Sequence, residues 1–518
     1  MKNKLTIIVP LVLVFAGLLF WSCNKDLTDR THEFPALQPS NLDLNAGTWK
    51  PVLLTAPDEF IIPAPIATNT SAYVAELNEI KAYQRDMTEE QKASIKYWSA
   101  GAVLRWNEIL RELVARHNLP PYQKEDNTYP APSAANPFAY PQFPFSNPPY
   151  AGRAYGYVSA ATYDALVSAW HYKQLYSTRL SPYANDSSVQ ALVPRTNLPS
   201  YPSEDAVVAG TTIEMLKLLF PTELAFIQKK ADEHMLARIM SGANVRSEIE
   251  AGQSLGRQVA SRFVARARTD GAGVAGGNPT IWKALEDVTI AKGEVCWMSL
   301  ETPKRPPMLP LFGKVKPFLF DSLTVIGLRP PPPPSTSSDI FKEETKEVKF
   351  YSENPTRERT AIVHFWADGA GTYTPAGHWD AIAAEEFVKE NYSEVRWARN
   401  FALVNMSLMD AGIVCWDAKY FYFNPRPSQT DESIKTHTGV PNFPAYTSGH
   451  STFSAAAATV LTHLLPDRGT KFNDMATEAS NSRLYGAIHY RSDCTAGLTS
   501  GKAVGQYAVN RAMTDGAE

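Results

Sequence analysis

Residues 399–419 read RNFALVNMSLMDAGIVCWDAK, an apolar and small-residue run that closes on a tryptophan and a lysine. Its length and lack of strict alternation suit a buried helix and not a strand. Residues 153–173, RAYGYVSAATYDALVSAWHYK, superimpose on it without gaps. Arg153 falls on Arg399, Asp164 on Asp410, Trp170 on Trp416 and Lys173 on Lys419. A second block repeats in the same order: Tyr201-Pro202-Ser203-Glu204-Asp205 matches Tyr446-Thr447-Ser448-Gly449-His450. Each leads through a helical pattern to a proline, at Pro221 and Pro466. The offsets are 246 and 245 residues. Two matches in order predict a duplicated helical bundle.

Working outward, helical patterns are expected over 73–117, 203–219, 223–269, 380–422, 449–465, 472–494 and 497–513. Alternating strands are scarce. Pro- and aromatic-rich stretches at 120–149 and 302–338 interrupt the pattern, the second containing the polyproline run 330–334. The sequence therefore predicts an all-α fold of two related helical bundles with long Pro/aromatic-rich loops. It divides into a lipoprotein-type signal (1–23), an extended tether (24–65), an N-terminal helical half that is a degenerate copy (66–338) and a C-terminal half bearing the chemistry (339–518).

Bulk properties exclude some classes. A net charge of -3 leaves no electrostatic footprint for nucleic acid. An apolar content of 44% is that of a folded protein. Cys296, Cys415 and Cys494 have no CxxC spacing, which argues against a zinc site and for buried free thiols. Gly271-x-Gly273-x-x-Gly276 has the dinucleotide-binding pattern but follows a helix, so it reads as a loop. At the N-terminus, Lys2 and Lys4 precede an apolar run from Leu5 to Phe20 and then Trp21-Ser22-Cys23. That resembles a bacterial lipoprotein signal, and the resemblance implies export as an outer-membrane or periplasmic lipoprotein anchored at Cys23. No later segment is expected to span a membrane.

The chemistry lies in three motifs of the second copy: Lys419-x6-Arg426-Pro427, Ser448-Gly449-His450 and Ser482-Arg483-x5-His489. Lys419, Arg426 and Arg483 supply permanent cations for anionic oxygens. Ser448 and Gly449 open a helix whose amides and dipole favour an anion, with Thr447 offering a cap. Lys419 is expected in the last turn of its helix and Arg426 on the exit loop, because Pro425 and Pro427 stop the helix. Ser482 to Asp493 is expected within one helix, so that Asp493 meets His489 at i,i+4 and holds its tautomer. This set suits a tetrahedral or trigonal-bipyramidal oxyanion such as phosphate or vanadate. The first copy keeps Lys173, has Arg179 one step early and replaces Gly-His by Glu204-Asp205. It would repel an anion and reads as scaffold.

The trio of motifs resembles the signature of the vanadium-dependent haloperoxidase and type-2 phosphatidic acid phosphatase superfamily. The resemblance implies that Lys419, Arg426, Ser448, Gly449 and Arg483 hold the oxyanion. His489 would be the ligand to vanadium or the nucleophile on phosphorus, and His450 the acid–base residue. Asp410-Ala411-Gly412-Ile413, Trp416 and Phe443-Pro444-Ala445-Tyr446 resemble the chloroperoxidase branch, where the matching Trp and Phe line the halide site. Phe365-Trp366-Ala367-Asp368-Gly369 also resembles that branch, and implies that Asp368 pairs with Arg483. Thr447 and Pro425 depart from the usual residues, Pro425 on the pocket wall. The resemblance implies oxidation of halide by hydrogen peroxide on a vanadate cofactor, with Lys419 polarising the peroxide. The alternative is acid phosphatase-like phosphomonoester hydrolysis through a phosphohistidine, with no cofactor. Small molecules are the expected partners, with membrane contact only through the lipid anchor.

Overall fold

Side-chain caps set most helix starts. Thr70, Thr88, Asn147 and Ser203 accept the backbone N–H three residues on, and so do Ser338, Thr356, Ser393 and Ser448. The first four open α1 (Ser71–Arg85), α2 (Glu89–Trp98), α4 (Pro148–Leu175) and α5 (Glu204–Leu219). The others open α8 (Asp339–Glu353), α9 (Arg357–Phe365), α11 (Glu394–Tyr422) and α12 (Gly449–Leu464). Each half is completed by three more helices: α3 (Ala102–His117), α6 (Leu224–Met240) and α7 (Arg246–Thr269) in the first, and α10 (Thr374–Phe387), α13 (Gly469–Tyr485) and α14 (Arg491–Ala512) in the second. Seven helices thus recur in the same order. Further helical pieces lie in the connections, the longest being Pro279–Ala291. The computed structural model describes residues 34–118, 147–302 and 304–517, and no strand occurs among them.

The duplication extends to individual contacts. Asp164 on α4 accepts backbone N–H groups from Val52, Leu53 and Leu54, and Asp410 on α11 accepts those of Phe318 and Leu319. Arg153 pairs with Asp270 at 2.7 Å, and Arg399 with Asp515 at 2.7 Å. Glu76 caps α7 through the amide and hydroxyl of Ser247, as Glu344 caps α14 through Ser492. These pairs are set by side chains that no hydrophobic pattern reveals.

α4 and α11 form the centre and make the most extensive contact between the halves. Gly156 permits it: a Cβ there would lie 3.1 Å from the Met409 side chain and 3.2 Å from the Asn405 carbonyl oxygen. In the second half α14 lies close along α12, where Gly497 and Gly505 leave room for the Ser448 and Ala456 carbonyls.

Several boundaries differ from expectation. The pattern over 73–117 divides into α1, α2 and α3, that over 223–269 into α6 and α7, and that over 380–422 into α10 and α11. The pattern over 472–494 breaks after Tyr485, because Ala487 takes a left-handed conformation (φ 57°) and a new helix starts at Arg491. Described residues of the tether do not hang free, since Ala46, Trp49, Leu54 and Ile62 are buried. Nor is the polyproline run a free boundary: Pro330 and Pro331 carbonyls accept the Tyr422 and Tyr446 hydroxyls. α11 is, against expectation, long and apolar enough to cross a membrane by length and composition alone. It serves as a core helix, with 94% of its most apolar window buried in the protein. The signal at 1–23 with Cys23, and residues 120–146 of the first Pro-rich loop, lie outside the described residues; Pro148 begins α4. Cys296, Cys415 and Cys494 are free thiols, the last two buried.

Candidate active site

The site is built where four chain segments of the second half meet. α11 ends in its Lys419 turn because Phe423 adopts φ 53° and donates its N–H to the Lys419 carbonyl. The exit Asn424-Pro425 then delivers Arg426. Both cations are fully buried. They are caged by the carbonyls of the 443–447 loop. Lys419 Nζ donates to Pro444 O (2.8 Å), Ala445 O (3.0 Å) and Thr447 O. Arg426 donates from Nε and Nη2 to Phe443 O, at 3.0 and 2.9 Å, and from Nη1 to Ile488 O at 2.8 Å.

Ser448 is the cap of α12, taking the place offered to Thr447, and accepts from Ser451 N at 3.3 Å. Gly449 and His450 are therefore the first helical residues, with unpaired amide donors and the positive helix end beside them. Arg483 comes from the last turn of α13 and donates to Trp366 O at 2.7 Å. His489 stands on the turn between α13 and α14. Its contact with Asp493 exists as expected, Nδ1 to Oδ2 at 3.0 Å, but its origin differs. Asp493 is in the first turn of α14 and also accepts Tyr490 N at 2.9 Å, so the contact is made by a helix cap and not by two residues of one helix. With Nδ1–H donated to Asp493, the lone pair is on Nε2, and Nε2 faces Arg426 Nη1 at 2.9 Å.

Gly449, His450, Arg483 and His489 line one cavity of about 290 Å3, together with Trp416, Phe443 and Asp368. Trp416 and Phe443 form a wall with ring centroids 4.9 Å apart. Lys419, Arg426 and Ser448 are not on its surface; they lie directly behind it. The Phe443 ring lies 4.9 Å from Lys419 Nζ and 5.1 Å from the Arg426 guanidinium carbon, and Arg426 touches the cavity-lining His489. The expected pairing of Asp368 with Arg483 is not formed. Asp368 Oδ1 takes His378 Nδ1 at 2.9 Å, and Oδ2 lies 3.5 Å from His450 Nε2. The reason is local: Asp368 sits at φ 47° on the loop after α9, which turns its carboxylate toward α10 and α12. Asp368 influences Arg483 only through its field. His378 was invisible to motif reading, because ten residues and a turn separate it from Asp368.

The cations, the two imidazoles and Asp493 are all pushed toward their neutral forms, whereas Asp368, against burial, is held in its charged form by His378 and His450. Burial lowers Lys419, with Arg426 adding repulsion. Burial brings Arg426 and Arg483 down to about 10 each. His450 falls to about 4, by burial first and then by Arg483. His489 is driven well below its ordinary value by burial and then by Arg426, Lys419 and Arg483. Asp493 is raised by burial, against the opposing pull of Tyr490 N–H, Lys419 and Arg426. Three guanidinium and ammonium groups around a neutral imidazole form a set that an oxyanion with two or more charges would relieve. The donors fit vanadate or phosphate: an imidazole lone pair on Nε2, held in this structure by Arg426 Nη1, with cations around it and helix amides at the side.

Residues 400–514 match the family model of the PAP2 superfamily. Among solved structures the chain is similar to the first bacterial vanadium-dependent iodoperoxidase, at 23% identity and a TM-score of 0.58, covering 79% of this chain and 95% of that one. It is also similar to a holo-type bacterial vanadium-dependent chloroperoxidase, at 13% identity and a TM-score of 0.51, covering 74% and 96%. At these identities the likeness is one of fold. No curated protein matches the chain.

Proposed function

We propose that this chain, whose residues 400–514 match the PAP2 superfamily model, is a vanadium-dependent haloperoxidase that oxidises halide with hydrogen peroxide. The observation that carries the reading is His489, whose Nδ1 is fixed on Asp493 while Nε2 is turned toward Arg426. The Trp416–Phe443 wall favours the halide branch, since a weakly hydrated anion gains from an apolar, cation-backed surface. The fold likeness to two vanadium-dependent peroxidases supports the same choice.

Vanadate, when bound, supplies a Lewis acid that polarises hydrogen peroxide toward the halide. The protein does the rest. His489 Nε2 is the anchoring atom, and Asp493 keeps its lone pair aimed. Arg483, the Gly449 amide and the Ser448 turn hold the oxygens. Arg426 must release His489 Nε2, and Lys419 must turn one N–H away from its carbonyl cage to reach the anion. His450 moves the proton. Its Nε2 faces Asp368, which leaves Nδ1 to the cavity. Because His450 is neutral at pH 7, it acts first as a base and returns the proton afterwards.

The N-terminal half is proposed to be scaffold, and the protein to be exported and held by a lipid at Cys23. One paired assay tests the activity: halogenation of a phenol dye with peroxide and bromide or iodide, against hydrolysis of a nitrophenyl phosphate, each with and without vanadate. Halogenation that requires vanadate is expected. Hydrolysis that vanadate inhibits, with no halogenation, would replace the proposal by the phosphatase reading on the same residues, His489 attacking phosphorus and His450 protonating the departing alcohol.

A further inference from the structure

Asp368 is one carboxylate between two imidazoles. Oδ1 takes His378 Nδ1 at 2.9 Å, a full hydrogen bond. Oδ2 and His450 Nε2 are buried, have no other partner and stand 3.5 Å apart, at the outer limit of bonding. The carboxylate is thus committed to His378 and only loosely engaged with His450. His378 and the loop of Asp368 are both held from behind. His378, on α10, is buried against the indole of Trp366 (centroids 4.6 Å apart) and the edge of Phe365 (4.9 Å). The loop carrying Asp368 is tied down by Asn118, whose Nδ2 donates to Gly369 O and Thr372 O at 2.9 Å each. A left-handed backbone at a non-glycine residue is costly, and here it places this carboxylate.

We propose that His378 is a positioning residue: it holds Asp368 by one oxygen and so limits how firmly His450 keeps its proton. The inference rests on the acid–base reading of His450 for its catalytic meaning, but not for its physics. The charged and titratable groups facing His450 are Asp368 from the loop, Arg483 from α13, His378 from α10 and, across the cavity, His489. Facing His378 are Asp368 and the Tyr373 phenol ring. Arg483 and burial push the proton off His450, and Asp368 alone pulls it back. A hydrogen bond from His378 spends part of that carboxylate's charge elsewhere and keeps its second oxygen at 3.5 Å. The result is a His450 that sheds a proton readily, as a residue that must both take and return one needs to do.

The test is histidine titration by NMR in the full-length, vanadate-free protein labelled at histidine carbons, with the His450 signal assigned from His450→Gln. His378→Phe keeps the ring packing on Trp366 and removes the N–H. His378→Asn keeps an N–H donor. The His450 midpoint is expected to rise by roughly one pH unit or more in His378→Phe, as Asp368 closes on it, and to stay within a few tenths in His378→Asn. In the vanadate-loaded protein the acidic limb of kcat/KM should move the same way by a similar amount. An unchanged or lowered midpoint in a folded His378→Phe protein overturns the proposal. Absence of halogenation in the vanadate-loaded wild-type protein, with the midpoint shift present in His378→Phe, would instead overturn the functional reading and leave this one standing.

Discussion

At Ser203-Glu204-Asp205 and at Ser448-Gly449-His450 the chain makes the same turn into the same helix, and in both copies a lysine and an arginine wait nearby. In the first copy Glu204 lies 3.5 Å from Lys173 Nζ. Asp205 lies 3.2 Å from Arg238 and 3.0 Å from His234, and Glu248 takes Arg179 at 2.7 Å. Burial alone would raise Asp205, but Arg238 and His234 hold it well below the usual carboxylate range. Arg238 stands where Arg483 stands, Asn244 where His489 stands and Glu248 where Asp493 stands, each 245 residues earlier. One copy carries its counter-anions in its own sequence. The other has glycine and histidine at those two positions, and on the proposed reading a bound oxyanion supplies the negative charge. On that reading, what distinguishes scaffold from active site is the source of the anion and not the architecture.

The comparison can be broken most severely at His489. His489→Ala should cost roughly 10^3-fold or more in halogenation and abolish vanadate retention, whereas Asn244→Ala should leave turnover unchanged. Turnover and vanadium content after gel filtration check both. Next comes the carboxylate pair. Asp493→Asn should lower vanadate affinity by about 10–100-fold by freeing the His489 tautomer. Glu248→Gln should leave the site alone but destabilise the protein by roughly 3 kcal/mol, because it strands the buried Arg179. Denaturant unfolding beside a vanadate titration separates the two.

A third prediction concerns pH. The folded value of His450, about 4, lies below its unfolded value, so the unfolded chain binds more protons between them. Stability should fall as pH drops from about 6.5 through 4, by roughly 3 kcal/mol from this group alone, with His489 adding in the same direction. Saturating phosphate should remove much of that loss by giving the imidazolium ions a counter-charge; melting curves at pH 7 and 4.5, with and without phosphate, measure it. The smallest effect is expected at Lys173→Met, with turnover within about twofold of wild type. A large loss of turnover in a folded Lys173→Met protein would end the scaffold view of the first half.

The fold was legible because a duplication writes itself twice. Arg153 over Arg399 and Asp164 over Asp410 located the central helices before any coordinate. The breaks were harder, since Ala487 and Phe423 adopt left-handed conformations without a glycine to announce them. The site residues came from three motifs, and the structure brings His450, Arg483 and His489 to one cavity. Their cage did not come from the sequence: the carbonyls around Lys419 and Arg426 belong to backbone, which every residue has. His378 escaped for a related reason, because a lone histidine on an apolar helix carries no pattern, and only the turn at Asp368 gives it a partner.

The most direct test is the stoichiometry of vanadate binding to the full chain, measured by calorimetry with phosphate as competitor. One vanadate per chain, lost in His489→Ala and kept in Asn244→Ala, is the predicted result. Two per chain, or one that survives His489→Ala, would contradict the claim that only the second copy lacks its own anion.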